Sequence, residues 1–421
     1  MKRVLALILV LLLLGTLCAC GGGSNTETTP ETTLAPAVET KVAEPLTWEK
    51  INSLPIANDS MSEDELRQLC MDFMEMTMLF PWTPSDPLNF TPINGSDKVT
   101  KIFVPGEVYG GPPYIAGTMG NIYTMMEYYD ERNGMLDLSG GMDTLRQFCN
   151  QCSGSTFWAW NRVCNKITYN GTTNALQHNG CIRVGPYTYD DNIMDMYREQ
   201  VSTKQICQTN GLDTMYESYA LLKPADGIVN FYSGAGHVRM VFAEANVVRD
   251  ANGKINGGLS TITYTDQDGL WYQHTQPDGS PYEHVGGYKI EITFFQLFND
   301  GYLPFTFAEF IGADPVEKSE TTIDYTGDTI TTAQLMKANI SSNYSISDVT
   351  IVIKDKNGKQ VFRNMAPAYK AQNAIPVPTA RVEWAYSLEL ENYADGKHTV
   401  EISARIGTGE KPVVYTGTLV G

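Results

Sequence analysis

Within this chain of 421 residues, the run Gln151-Cys152-Ser153-Gly154-Ser155-Thr156-Phe157-Trp158-Ala159-Trp160 leaves the fewest structural options. A cysteine among small residues leads into an apolar, aromatic segment, which fits a loop turning into a buried helix with Cys152 at its N-terminus. Unpaired N–H groups at a helix start favour an anion, so a thiol placed there ionises more easily. A thiolate is a nucleophile at neutral pH where a hydroxyl is not. A lone cysteine in an apolar segment is by default a buried small hydrophobe, but two features argue for more. Ser153-Gly154 keeps the approach to the sulfur open. Far downstream, Ser233-Gly234-Ala235-Gly236-His237-Val238-Arg239-Met240-Val241-Phe242 reads as a glycine turn feeding a strand that opens on one of only five histidines. Alternation puts His237, Arg239 and Val241 on one strand face. A cysteine on a helix start and a histidine on a strand are the two parts of a thiol–imidazole pair, His237 taking the proton of Cys152.

Three segments, in chain order, resemble motifs of the NlpC family of papain-like cell-wall cysteine peptidases. Pro113-Tyr114-Ile115-Ala116-Gly117-Thr118 resembles the "PYxxGG" approach to the site. Gln151-Cys152-Ser153-Gly154 resembles the "DCSG" nucleophile motif. Leu222-Lys223-Pro224-Ala225-Asp226-Gly227 with the apolar run after it, followed by Gly236-His237-Val238, resembles the "L-x-P-G-D" loop and strand and then "GHV". The likeness spans about residues 100–300. It implies helices packed on an antiparallel sheet and hydrolysis of amide bonds in peptidoglycan stem peptides through a thioacyl-enzyme. It also implies Tyr114 near the oxyanion, and a third polar residue on the strand after the histidine. In Leu259-Ser260-Thr261-Ile262-Thr263-Tyr264-Thr265-Asp266-Gln267 that role falls to Asp266 or Gln267. Gln151 stands where the family carries Asp, and the wide spacing of Cys152 and His237 implies an insertion, placed at residues 165–211. These steps call for no metal or organic cofactor. Two other readings use the same residues: a non-catalytic lipoprotein that keeps the fold and binds wall polymers or a partner, and a thiol acyltransferase or transglutaminase-like enzyme.

The N-terminus sets the compartment. Met1-Lys2-Arg3 is a basic start, and Val4 to Leu14 is an apolar run short for a membrane span and right for a secretory core. Leu17-Cys18-Ala19-Cys20-Gly21 then resembles a bacterial lipobox, with Cys20 cleaved free and lipidated. The expected location is therefore extracytoplasmic, held to the cell membrane by lipid on Cys20. A formal charge of −18 makes nucleic acid a poor partner and leaves peptidoglycan or another wall polymer as the expected one. Six cysteines follow Cys20, namely Cys70, Cys149, Cys152, Cys164, Cys181 and Cys207. A disulfide within the Cys149–Cys152 pair would silence the nucleophile. A lone C-x-x-C without paired histidines is a weak metal motif.

Composition then divides the chain. Residues 1–19 are the signal peptide, and 20–45 a Gly/Ser/Thr/Glu/Pro/Ala tether. Residues 46–94 hold a helical brace, in which Ser62-Glu63-Asp64-Glu65 caps an amphipathic helix carrying Leu66, Leu69, Cys70, Phe73 and Met76 on one stripe. Residues 95–320 are expected to form one α+β domain, which the motif resemblance implies is papain-like and of NlpC type. Trp158 and Trp160 are expected in its core, His178 on its surface, and 267–284 as an aromatic loop. From Thr321 to Gly421, short alternating Thr/Ser/Val/Ile runs between turns predict a separable, immunoglobulin-like β-sandwich.

Overall fold

A computed structural model describes residues 42–90, 101–167, 172, 176, 180–189, 201–232, 235–377 and 389–421, with backbone alone at 369–371. The leader, Cys20, most of the tether and His178 lie outside these residues. Packed chain is already present at Val42, which is buried with Val108 and Tyr282, so the folded body begins three residues before the expected end of the tether. Among the described residues no helix is long and apolar enough to cross a membrane.

The architecture is mixed α+β and mostly sheet. Helix α1 (Glu63–Met78) starts where the sequence predicts it, because Ser62 and Glu65 form a reciprocal capping box that satisfies two orphan N–H groups. Leu66, Leu69, Cys70 and Phe73 are buried and Met76 is half-buried. Arg67 on this helix reaches the Pro224 carbonyl and Asp226, both at 2.7 Å. The brace therefore shares one apolar core with everything up to Val316 and is not a body of its own.

Helix α2 (Cys152–Trp160) runs through that core, and all nine of its residues are buried. Trp158 and Trp160 donate to the Met119 and Ala225 carbonyls at 3.2 and 2.7 Å, which is how a buried indole N–H avoids going unpaired. Beside it lies a six-stranded sheet of β1 (Cys181–Arg183), β2 (Gly227–Tyr232), β3 (Ala235–Val241), β4 (Thr261–Thr265), β5 (Ile290–Thr293) and β6 (Leu303–Phe307). Its order is β5-β4-β3-β2-β6-β1, with antiparallel neighbours throughout. Residues 267–284 are not a loop: Trp271–Thr275 and Pro281–Val285 pair as an antiparallel hairpin that joins a second small sheet through Tyr109–Gly110.

The C-terminal hundred residues differ from the expected sandwich of two sheets. Strands β7 (Thr321–Ile323), β8 (Thr329–Thr331), β9 (Asn339–Lys354), β10 (Gln360–Pro376), β11 (Asp395–Ile406) and β12 (Val413–Val420) belong to one sheet, ordered β7-β9-β11-β12-β8 with β10 paired to β9. The first part of β9 pairs with β7 and the last part with β11. One register shift, between Ser341 and Ile346, falls between these two pairings and a second, between Ile346 and Asp348, at the start of the β11 pairing; such irregularities bend and twist a strand. The sheet curls around its own core of Ile, Val, Leu and Tyr side chains from Ile330 to Leu419.

That module has its own apolar core but is not separate. Residues 39–421 cluster as one compact unit. Asn161, directly after α2, is fully buried and accepts from Ser345 N–H at 3.2 Å. The Arg405 guanidinium lies 4.9 Å from the Trp48 ring and 4.5 Å from the Tyr123 ring, bonds the Gly409 carbonyl at 3.1 Å and faces Asp348 at 3.5 Å. Removing it leaves the buried Asp348 carboxylate with only Lys411, at 3.7 Å, and the Ser347 hydroxyl, at 2.9 Å, and opens a gap between two rings. Arg405→Ala should therefore cost about 3 kcal/mol of stability, lowering the thermal-unfolding midpoint by several degrees. An unchanged midpoint would show that the two cores are held by other contacts.

Candidate active site

Cys152 is the first residue of α2, where backbone N–H groups have no intrahelical acceptor. The preceding turn is fixed from both sides. Asn150 bridges Tyr114 in parallel register, Gln151 N–H donates to Asn150 Oδ1 at 2.9 Å, and Gln151 Oε1 accepts from Gly117 N–H at 2.7 Å. Gln151 thus ties the nucleophile's turn to the Pro113–Thr118 segment. Tyr114 sits beside this turn, its ring against Gly269, where an added Cβ would lie 3.1 Å from Cδ1.

His237 enters from β3. Its N–H donates to Asn230 Oδ1 at 2.9 Å across the β2–β3 pair. Register then decides which residue meets the ring. Thr265 pairs with Met240, so Asp266, one step beyond the end of β4, falls opposite Arg239 and near His237. His237 Nε2 bonds Asp266 Oδ2, leaving Nδ1 for the thiol, and the ring is within hydrogen-bonding reach of Cys152. Of the two residues offered for the third position, Asp266 is the one against the imidazole. Gln267 turns away: its Oε1 accepts from Ser155 and its Nε2 donates to the Pro112 carbonyl. It is fully buried and pins α2 to the Tyr114 segment.

Asp266 is itself fully buried and held on three sides. Besides His237, Oδ2 accepts from Arg239 Nε at 2.9 Å, and Oδ1 accepts from Gly287 N–H at 3.2 Å. The approach of Gly287 is close enough that a Cβ there would lie 2.9 Å from Oδ1, so a side chain at 287 would displace the carboxylate. In the loop before β2, Ala225 takes φ 65°. That is the left-handed region glycine occupies without penalty, at the position where the resembling motif has Gly.

The electrostatics follow from these contacts. Burial pushes the Cys152 thiol up, but the His237 charge and hydrogen bond, with help from Thr172, outweigh it, and the thiol lies below its ordinary value. Burial works against the His237 imidazolium, yet the negative charges of Cys152 and Asp266 carry it well above the ordinary imidazole value. Burial likewise opposes ionisation of Asp266, and His237 and Arg239 overcome it. The other described cysteines go the other way. Burial raises Cys70, Cys149, Cys164, Cys181 and Cys207, the last to about 12. All six thiols are free, Cys149 and Cys152 included, and no described group of three or more His, Cys, Asp or Glu could hold a metal. Cys152 is only 4% exposed, with the Thr172 hydroxyl 3.5 Å from Sγ. A substrate carbonyl reaching the sulfur therefore has to displace that contact.

The sequence singled out Cys152 and His237 and left Asp266 and Gln267 as alternatives; it missed Thr172 and Asn230, which carry no motif, and assigned no role to Arg239. A signal for Asp266 over Gln267 existed in the Gly286-Gly287 pair, which permits backbone to close on a buried carboxylate. Compared with known proteins, the chain matches no family model, no curated protein and no solved structure.

Proposed function

We propose that this chain is a surface lipoprotein, anchored through lipid on Cys20, whose papain-like, NlpC-type domain is a cysteine hydrolase acting on amide bonds in peptidoglycan stem peptides. The observation that carries the chemistry is the chain of contacts from Asp266 through His237 to the one described thiol held below its ordinary value. The motif resemblance and the leader carry the substrate class and location.

In the proposed reaction His237 holds the proton of Cys152, and the thiolate attacks the amide carbon. The carbonyl oxygen becomes an oxyanion facing the helix-start N–H of Cys152 and Tyr114. Collapse breaks the C–N bond, and His237 gives its proton to the departing amine. Water, deprotonated by the now neutral His237, then attacks the thioester and releases a carboxylate and the thiol. Asp266 fixes the ring with Nδ1 toward sulfur and stabilises the imidazolium.

The burial of Sγ beneath Thr172 favours a second reading, in which the same fold binds a wall polymer without cleaving it. Soluble muropeptides incubated with the protein and followed by mass spectrometry separate the two. Hydrolysis should add one water and expose one new amine. Retention of intact muropeptides, with no new amine under any condition that leaves Cys152 reactive, would leave binding as the function.

A further inference from the structure

The proposed triad contains a fourth charged group. Arg239 follows His237 by two residues on β3, so both side chains leave the same face. Its Nε–H reaches the oxygen of Asp266 that His237 Nε2 also uses. The guanidinium is packed between the Tyr264 and Tyr302 rings, at 4.1 and 4.7 Å from their centroids. This sandwich fixes its plane and leaves the Nε edge pointing at the carboxylate. The arrangement is costly, because it sets a permanent cation beside an imidazole that has to carry a proton. A mere need to neutralise Asp266 does not explain it, since His237 and the Gly287 N–H already serve the carboxylate.

We propose that Arg239 is a positioning residue of the site, aiming Asp266 at His237 and adding the positive field that keeps the Cys152 thiolate available at lower pH. This rests on the triad reading above. Asp266 bonded by Arg239 cannot rotate away when His237 moves its proton toward a leaving group. The groups facing the pair from packed elements are Cys152 on α2, Tyr264 on β4, Tyr302 before β6, and the carboxylates of Asp268 and Asp300 nearby. Arg239 and His237 are therefore the cations set against a largely acidic surround.

The sign of its effect is fixed. Arg239 contacts Asp266, which in turn holds His237; loss of its positive charge from this chain leaves the thiolate with less positive field, so the pH at which Cys152 becomes reactive should rise. At an effective dielectric near that of a protein surface the shift should be about half to one pH unit. The test is the pH dependence of Cys152 alkylation by iodoacetamide, read by mass spectrometry, in the full chain. Arg239→Met and Arg239→Gln, two neutral variants of different shape, should both move the midpoint upward. Arg239→Lys keeps the charge without the planar fork and should return the midpoint to within about a fifth of a unit of wild type. A packing role alone would lower folded yield without moving the midpoint. Midpoints of the neutral variants that coincide with wild type, or a Lys variant displaced as far as the neutral ones, overturn the proposal. Should neither neutral variant fold, a displaced Lys midpoint still overturns it and a wild-type midpoint supports it. Failure of the triad reading looks different: wild-type Cys152 would then label no faster than the other cysteines.

Discussion

Cys152→Ser is expected to leave the fold intact and reduce hydrolysis by about 10⁴-fold or more. The substitution is nearly isosteric, and the buried hydroxyl still has Thr172 and His237 as partners, so thermal unfolding should be little changed. The chemistry should not survive. A serine in such a site needs a neutral imidazole to take its proton at the moment of attack. In the variant the Cys152 charge, which with Asp266 holds the His237 proton in the wild type, is gone, and a hydroxyl is too weak an acid to charge the imidazole in its place. A thiol can surrender its proton beforehand to such an imidazole; a hydroxyl cannot. Muropeptide turnover by the Ser variant above about one hundredth of wild type would show that sulfur is not the attacking atom.

The parts of the site that could be read from the sequence are those whose chemistry is local. Cys152 is legible because small residues before an apolar run specify a helix start, and His237 because a glycine turn and alternation specify a strand. The Ser62–Glu65 capping box places the start of α1 for the same reason. Asp266 was legible only as one of two candidates, since its selection depends on the cross-strand register of Thr265 with Met240, a long-range property that no local pattern encodes. The hairpin at Trp271–Val285 was hidden by aromatic residues that suit a binding loop and a strand equally. In the C-terminal region the strands were legible and their closure was not. Whether alternating strands make two sheets or one curled sheet depends on where β9 shifts register and changes partner. The tie between modules was invisible because it rests on single polar groups, Asn161 and Arg405, whose partners Ser345, Tyr123 and Trp48 are far away in the chain.

His237→Ala should have the largest effect on the thiol itself. In the wild type two opposing influences act on Cys152: burial favours the thiol and His237 favours the thiolate, and His237 prevails. Remove the imidazole and burial is left nearly alone, as it is at Cys70, Cys149 and Cys164. The thiol should then move above the free-cysteine value of about 8.5. That rise cuts the thiolate fraction at pH about 6.5, and iodoacetamide labelling should fall with it by about an order of magnitude or more. Asp266 keeps Arg239 and Gly287 as partners, so the loss should not come from unfolding. The internal comparison is Cys181, which is partly exposed yet raised by desolvation: wild-type Cys152 should outpace it at mildly acidic pH, and in the variant that advantage should vanish. The wild-type pH profile of hydrolysis follows from the same directions. Its acid limb lies at the lowered thiol, and its alkaline limb above the ordinary imidazole value of about 6.5, where the raised His237 finally loses the proton the leaving amine requires. The linked contribution to stability runs with it, fully present below about 6.5 and lost as pH climbs through the raised value. Equal labelling rates for Cys152 in the wild type and the His237→Ala variant at pH about 6.5 would mean that the two side chains do not share a proton.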